Sequence, residues 1–205
     1  VKGAESILSK VANPFADLCG AGSAPTIIMT TESFKDALAF SQEPKYLDEM
    51  DVFYREFFGT DNLTIRYVEN IVEQFKGYDR EIKLEDTDQY FRIEEKRDRY
   101  YKTGNITLEL WSVFNTRKGW LYTSRANYIA YHFINGVTHM LDRPMLQRAW
   151  ALNEKEWRDT YPEIDVENTG WTSVVILIPK PVLSQAMAEA SVYTHVRTGT
   201  EVDNR

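Results

Sequence analysis

The chain has a single cysteine, Cys19, among 205 residues. One thiol cannot close an internal disulfide or build a cysteine-rich zinc site, so a reducing setting is expected. Long apolar runs are missing too. Val174 to Ile178 (VVILI) is the longest, and it is far too short to span a bilayer. The opening residues, VKGAESILSK, lack the apolar stretch of a signal peptide. A cytoplasmic location without a membrane partner is therefore expected. Positive charge is also scarce: 24 Lys and Arg stand against 31 Asp and Glu, a net charge of −7. That argues against a protein that coats itself with nucleic acid, because phosphate binding needs local positive charge. It does not exclude an enzyme acting on nucleic acid, since a metal site is acidic by necessity and a basic groove can sit on an acidic protein. The three histidines, His132, His139 and His195, fit no HExxH-like spacing, so zinc is not expected. The glycines of GAGSAPT at 20–26 are not followed by Gly-Lys-Ser/Thr, which rules out a phosphate loop. No serine sits in a Gly-x-Ser-x-Gly setting, and Cys19 has no evident base.

What is present suits a packed domain. Hydrophobic residues make up 43% of the chain, with 5 Trp, 12 Tyr and 10 Phe to supply bulk. TTESFKDALAFSQ offers Thr31 as an N-cap before an amphipathic stretch. In PKYLDEMDVFYREFFG, Leu47, Met50, Phe53, Tyr54 and Phe57 recur at helical spacing, and Gly59 provides a stop. Residues 62–76 read as a further helix, capped by Asp61, with Ile65, Val68, Ile71, Val72 and Phe75 as its stripe and Gly77 as its end. The period then changes to two. DREIKLED, YFRIEEK and NITLELWS each alternate apolar and polar residues, as half-buried strands do. An aromatic turn and strand (GWLYTSRANYIAYHF), a helix (RPMLQRAWALNEKEW), a buried strand (WTSVVILIP) and a short closing helix (KPVLSQAMAEAS) complete the series. The expectation is an α/β (α+β) domain: a helix, a three-stranded meander, then mixed helices and strands. Residues 1–60 form its helical extension, 61–190 its core and 191–205 a tail.

The polar face of the first hairpin gathers charge. If Thr87-Asp88 is a two-residue loop, paired residues sum to 175, and Ile82 faces Ile93 while Leu84 faces Phe91. On the other face Asp79 lies opposite Lys96, and Glu81 opposite Glu94. Directly opposed Cβ atoms are about 4.5–5.5 Å apart, so Asp79, Glu94 and Lys96 fall in one patch. As a third strand, NITLEL would turn Ile106, Leu108 and Leu110 inward and Glu109 toward the same patch. Crowded carboxylates repel, and protonation or a bound cation relieves the cost. Magnesium, which takes one or two carboxylates with waters and phosphate, suits such a set. An amphipathic hairpin always has a polar face, however, and cross-strand Glu–Lys pairs are common on surfaces.

An acid early in one strand, followed by Glu-x-Lys on the next, resembles the signature of the PD-(D/E)XK nuclease superfamily. The continuation TGNITLELWS…KGWLYTSRANYIAYHF is similar to a phage-type, nuclease-like branch. The resemblance covers about residues 61–180. Its first acid is Asp79, without the preceding Pro, since Tyr78 stands there; Glu94-Glu95-Lys96 is its second half. It implies a restriction-endonuclease-like core, with a central mixed sheet flanked by helices: a helix, an antiparallel strand set, then a further helix and strand. It also implies a phage-encoded, magnesium-dependent (or manganese-dependent) endonuclease that hydrolyses phosphodiester bonds, with DNA as partner. Asp79, Glu94, Lys96 and Glu109 are then the catalytic candidates, and Asp79, Glu94 and Glu109 the metal ligands. Glu69 or Glu73 would be helix-borne additions. Arg92, Arg97, Lys118 and Arg125 are the candidate nucleic-acid contacts, with Arg99 and Arg117 nearby.

Two other readings stand beside this one. A nuclease-like module could bind nucleic acid or a host protein without cutting, and an acidic effector could bind a host protein through aromatic residues. Residues 1–60 would then carry a protein partner or a homo-oligomer contact. Trp111, Trp120, Tyr122 and Tyr128 can stack on bases but equally serve as core or turn anchors, and His132 suits a core strand.

Overall fold

The structure is a computed structural model that describes residues 39–68 and 77–198, with side chains to residue 191. The chain divides after Thr30, and Val1–Thr30 lies outside the described residues, as do the helix cap expected at Thr31 and the glycine loop at 20–26. Helix α1 (Pro44–Phe58) forms where Pro44 pre-sets the first turn, and it stops at Gly59, whose left-handed φ of 67° lets the next amides bond back to Arg55 and Glu56. Tyr46, Met50 and Tyr54, four residues apart, make its buried stripe.

The stretch expected to be helical from residue 62 begins instead as a strand, β1 (Leu63–Tyr67). In LTIRY, Leu63 and Ile65 alternate with Thr64 and Arg66, and period two wins over the longer helical pattern. Residues 69–76, with Glu69 and Glu73, lie outside the described residues. Next come β2 (Arg80–Leu84) and β3 (Gln89–Asp98). Their loop has four residues, Glu85 to Asp88, and Asp88 takes a positive φ of 53°. Pairing runs Arg80 with Ile93, Ile82 with Phe91 and Leu84 with Gln89, so the register differs by two residues from the two-residue-loop expectation. An even shift keeps every side chain on its face and changes only its neighbour. Glu81 therefore opposes Arg92, not Glu94.

After a 3₁₀ turn (Tyr101–Thr103) and Gly104, with φ 72°, strand β4 (Asn105–Val113) leaves this sheet. The expected three-strand meander is thus replaced by two sheets. One has the order β1-β2-β3-β6-β7 and the other β5-β4-β9-β8. The added strands are β5 (Arg117–Lys118), β6 (Tyr128–Phe133), β7 (Thr138–Asp142), β8 (Glu163–Asn168) and β9 (Trp171–Pro179). Helix α2 (Trp120–Thr123) is one turn. Helix α3 (Arg143–Thr160) is capped by the Asp142 side chain on the Met145 N–H, and α4 (Lys180–Thr198) runs well into the expected tail. The first sheet is mixed, because β3 and β6 are parallel while its other pairs are antiparallel.

Strand β6 lies inside the first sheet, between β3 and β7, and divides its residues between two cores. Ala130 joins Tyr46, Met50, Tyr54, Leu63, Ile82 and Ile93 beneath α1, so α1 belongs to the same core as the strands. Ile129, Tyr131 and Phe133 join Ile106, Leu108, Leu110, Ile176 and Ile178 of the second sheet, together with α3 and α4. The fold is mixed α/β.

Candidate active site

Alternation along β3 sorts its charged end. Glu94, Lys96 and Asp98 pair with Ile129, Tyr131 and Phe133 of β6 and share their side, while Ile93, Glu95 and Arg97 turn toward α1. The β2–β3 ladder begins at Arg80 opposite Ile93, so β3 extends past the start of β2. Asp79 fills the step. Its N–H donates to the Ile93 carbonyl at 2.8 Å, and its Oδ2 accepts the Glu95 N–H at 2.7 Å. The carboxylate is thereby fixed by backbone beside Glu94 and Lys96.

The Lys96 ammonium lies 2.5 Å from Glu94 Oε1 and 5.9 Å above the Trp120 ring. The charge of Glu109, on the second sheet, also acts on Lys96. Glu109 Oε2 accepts the Trp120 N–H at 3.0 Å. Gly119 makes that approach possible: a Cβ there would lie 2.5 Å from the Glu109 carbonyl carbon and 2.8 Å from its Cγ. Burial, then the charge of Glu94, pushes the Asp79 pKa up to about 6, against the pull of Lys96 and the Glu95 amide. Burial works against the Lys96 charge, but Glu94, Asp79 and Glu109 outweigh it and hold its pKa above the ordinary lysine value. Three carboxylates thus act on one ammonium. Among the described residues, no three His, Cys, Asp or Glu side chains are grouped closely enough to hold a metal ion.

A cavity of about 710 Å³ opens at the step between β2 and β3. Asp79 and Lys96 line it, together with Glu95, Arg97, Arg80 and Tyr67. Its α1 side is a network that the sequence reading missed. Glu95 accepts from the Tyr54 hydroxyl at 2.6 Å and the Tyr46 hydroxyl at 3.2 Å, and pairs with Arg80. Arg80, fully buried, also pairs with Asp51 and lies 4.1 Å from the Tyr67 ring centre. The readable signal was the i, i+4, i+8 spacing of Tyr46, Met50 and Tyr54, two of whose members carry hydroxyls.

The expected nucleic-acid contacts scatter. Arg92 shares the Glu94 face but pairs with Glu81 at 3.3 Å and covers Tyr78 at 4.9 Å. Arg97 is turned to the other face, where it bonds Glu43 at 2.7 Å and the Phe40 carbonyl. Arg125 is exposed, its backbone N–H held by Gly77. Lys118 sits 3.6 Å over Trp111. His132 is a core residue, 3% exposed, with Nδ1 2.9 Å from the Thr138 hydroxyl. Burial lowers its pKa.

Set against known proteins, the chain matches no family model, no curated protein and no solved structure.

Proposed function

We propose that the chain is a metal-dependent nuclease that hydrolyses phosphodiester bonds in DNA. The observation that carries this reading is the meeting of Asp79, Glu94 and Lys96 on one side of β3, with Glu109 acting on the same lysine. The strand order adds support. The antiparallel set β1-β2-β3 followed by the later strand β6 matches part of the order expected of a restriction-endonuclease-like core. The helix expected at 62–76 does not, since it begins as β1, and α1 precedes it in the stretch read as an extension. The crossover also departs from that order, since β4, β5 and a one-turn helix replace the expected helix.

The donor set fits a magnesium ion. Asp79 and Glu94 are two hard oxygen donors whose mutual repulsion a divalent cation relieves, and waters and phosphate complete such a shell. When bound, the ion would supply Lewis-acid polarisation of the phosphate and a more acidic water. The chain's own groups do the rest. Lys96 presents N–H donors to phosphate oxygens as negative charge builds on them. Glu94 orients that ammonium, and the Glu95 amide orients Asp79. Asp79 must be ionised to serve, and a bound cation favours the ionised form, so cutting should fall at acidic pH, below the value of about 6 that burial and Glu94 give Asp79 without metal.

A non-cutting, nucleic-acid-binding module is the second reading. The close Lys96–Glu94 pair, with no three-ligand group among the described residues, favours it. Cleavage of plasmid, linear and single-stranded DNA with magnesium decides between the two. Wild type should cut, and Lys96→Ala and Asp79→Ala should lose about a hundredfold or more. Equal cutting by all three would refute the assignment.

A further inference from the structure

We infer that the β4–β5 hairpin is a stacking platform for single-stranded nucleic acid, placed to lead a strand to the candidate site; this rests on the nuclease reading for its connection to catalysis. Trp111 packs partly against the core and carries the Lys118 ammonium, its cross-strand partner, 3.6 Å from the indole centre, so the rings open to a base are its neighbours. That lysine also lies 5.2 Å from the Tyr122 ring, which is 36% exposed. Phe114 at the hairpin tip is 51% exposed and meets Trp111 edge-on at 6.2 Å. Arg117 is exposed, and its Nε donates to the Ser112 hydroxyl. Among the described residues, neither Arg117 nor Lys118 pairs with a carboxylate. Rings interleaved with unpaired cations are what a flexible phosphodiester chain requires, since bases stack on the rings while phosphates meet the charges.

Charge across the second sheet points the same way. One edge strand, β5, is Arg117-Lys118; the other, β8, exposes Glu163, Asp165 and Glu167. Three strand spacings, about 14 Å, separate these edges. A polyanion is drawn to the first and repelled by the second, although the whole chain is acidic. The platform is also tied to the site. Trp111 follows Glu109 by two residues, about 7 Å along the strand. A bulge between them bends the strand, while Gly119 and the Trp120 N–H lock the hairpin base against Glu109.

The test is binding without cutting. Fluorescence anisotropy with labelled oligo-dT, and with a duplex of equal length, is measured in a chelator. Phe114→Ala and Lys118→Gln should each weaken oligo-dT binding about tenfold. Phe114→Ala should affect the duplex much less, because a duplex hides its base faces. Lys118→Gln should also reduce the salt slope by about 0.7. Lys155→Gln, exposed on α3, should change nothing. Absent oligo-dT binding, or equal binding by wild type and both hairpin variants, would overturn the inference. A protein that binds through the hairpin but never cuts would keep the platform and sink the nuclease. One that cuts while the hairpin variants bind and cut normally would do the reverse.

Discussion

Glu94 and Glu95 are adjacent and chemically identical, yet their surroundings give them different work. Glu95 is consumed by structure: two tyrosine hydroxyls and Arg80 take its oxygens. Removing Arg80 would leave a buried carboxylate unpaired, a change that costs about 3–5 kcal/mol in comparable pairs. Glu94 has Lys96 and the charge of Asp79 beside it. That asymmetry was legible, because alternation alone separates the two glutamates and puts Glu94 with Lys96. The Arg80–Glu95–tyrosine network was not, because it depends on which helix covers the far face. At this scale the sharpest expectation concerns Asp79. Its pKa is about 6 in the folded protein and about 3.9 when unfolded. Between those values the native state binds more protons, so this group makes stability fall as pH rises from about 4 to about 6. Asp79→Asn keeps an acceptor for the Glu95 amide and carries no charge. Thermal melts should find the variant more stable than wild type at about pH 7, with the gap closing toward about pH 4. A gap that does not change with pH would contradict the assigned environment.

Among the elements, the strands β2, β3, β4, β6 and β9 and the helices α1 and α3 could be read from periodicity and caps. The failures have physical causes. LTIRYVENIVEQF carries both periods, and only tertiary pairing with β2 settled Leu63–Tyr67 as a strand. The hairpin register missed by two residues because EDTD can close a two-residue or a four-residue loop. The cluster survived because the error was even. Strand β4 alternates in the same way whether it pairs with β3 or with β9, so its sheet could not be assigned, yet the charge of Glu109 still acts on Lys96 from the second sheet. Gly119 is where the placement of Glu109 is most constrained. Gly119→Ala should destabilise by about 2–3 kcal/mol through overpacking on the Glu109 backbone. The loss would be read as a melting temperature lower by several degrees; an unchanged value would mean that the hairpin base has slack.

The described residues place a carboxylate–lysine cluster beside a cavity and near the root of a basic, aromatic hairpin. Among the described residues, no helix is long and apolar enough to cross a membrane. Arg117 and Lys118 put two cations on one edge of the second sheet, where the proposed platform would meet a polyanion. The central claim is that Asp79, Glu94 and Lys96 form one functional site. A crystal structure after manganese soaking, with the ion located by anomalous scattering, tests it most directly. The account predicts a peak held by Asp79 and Glu94 that disappears in Asp79→Asn. No peak there at saturating manganese, or Asp79 and Glu94 on opposite sides of β3, would contradict it.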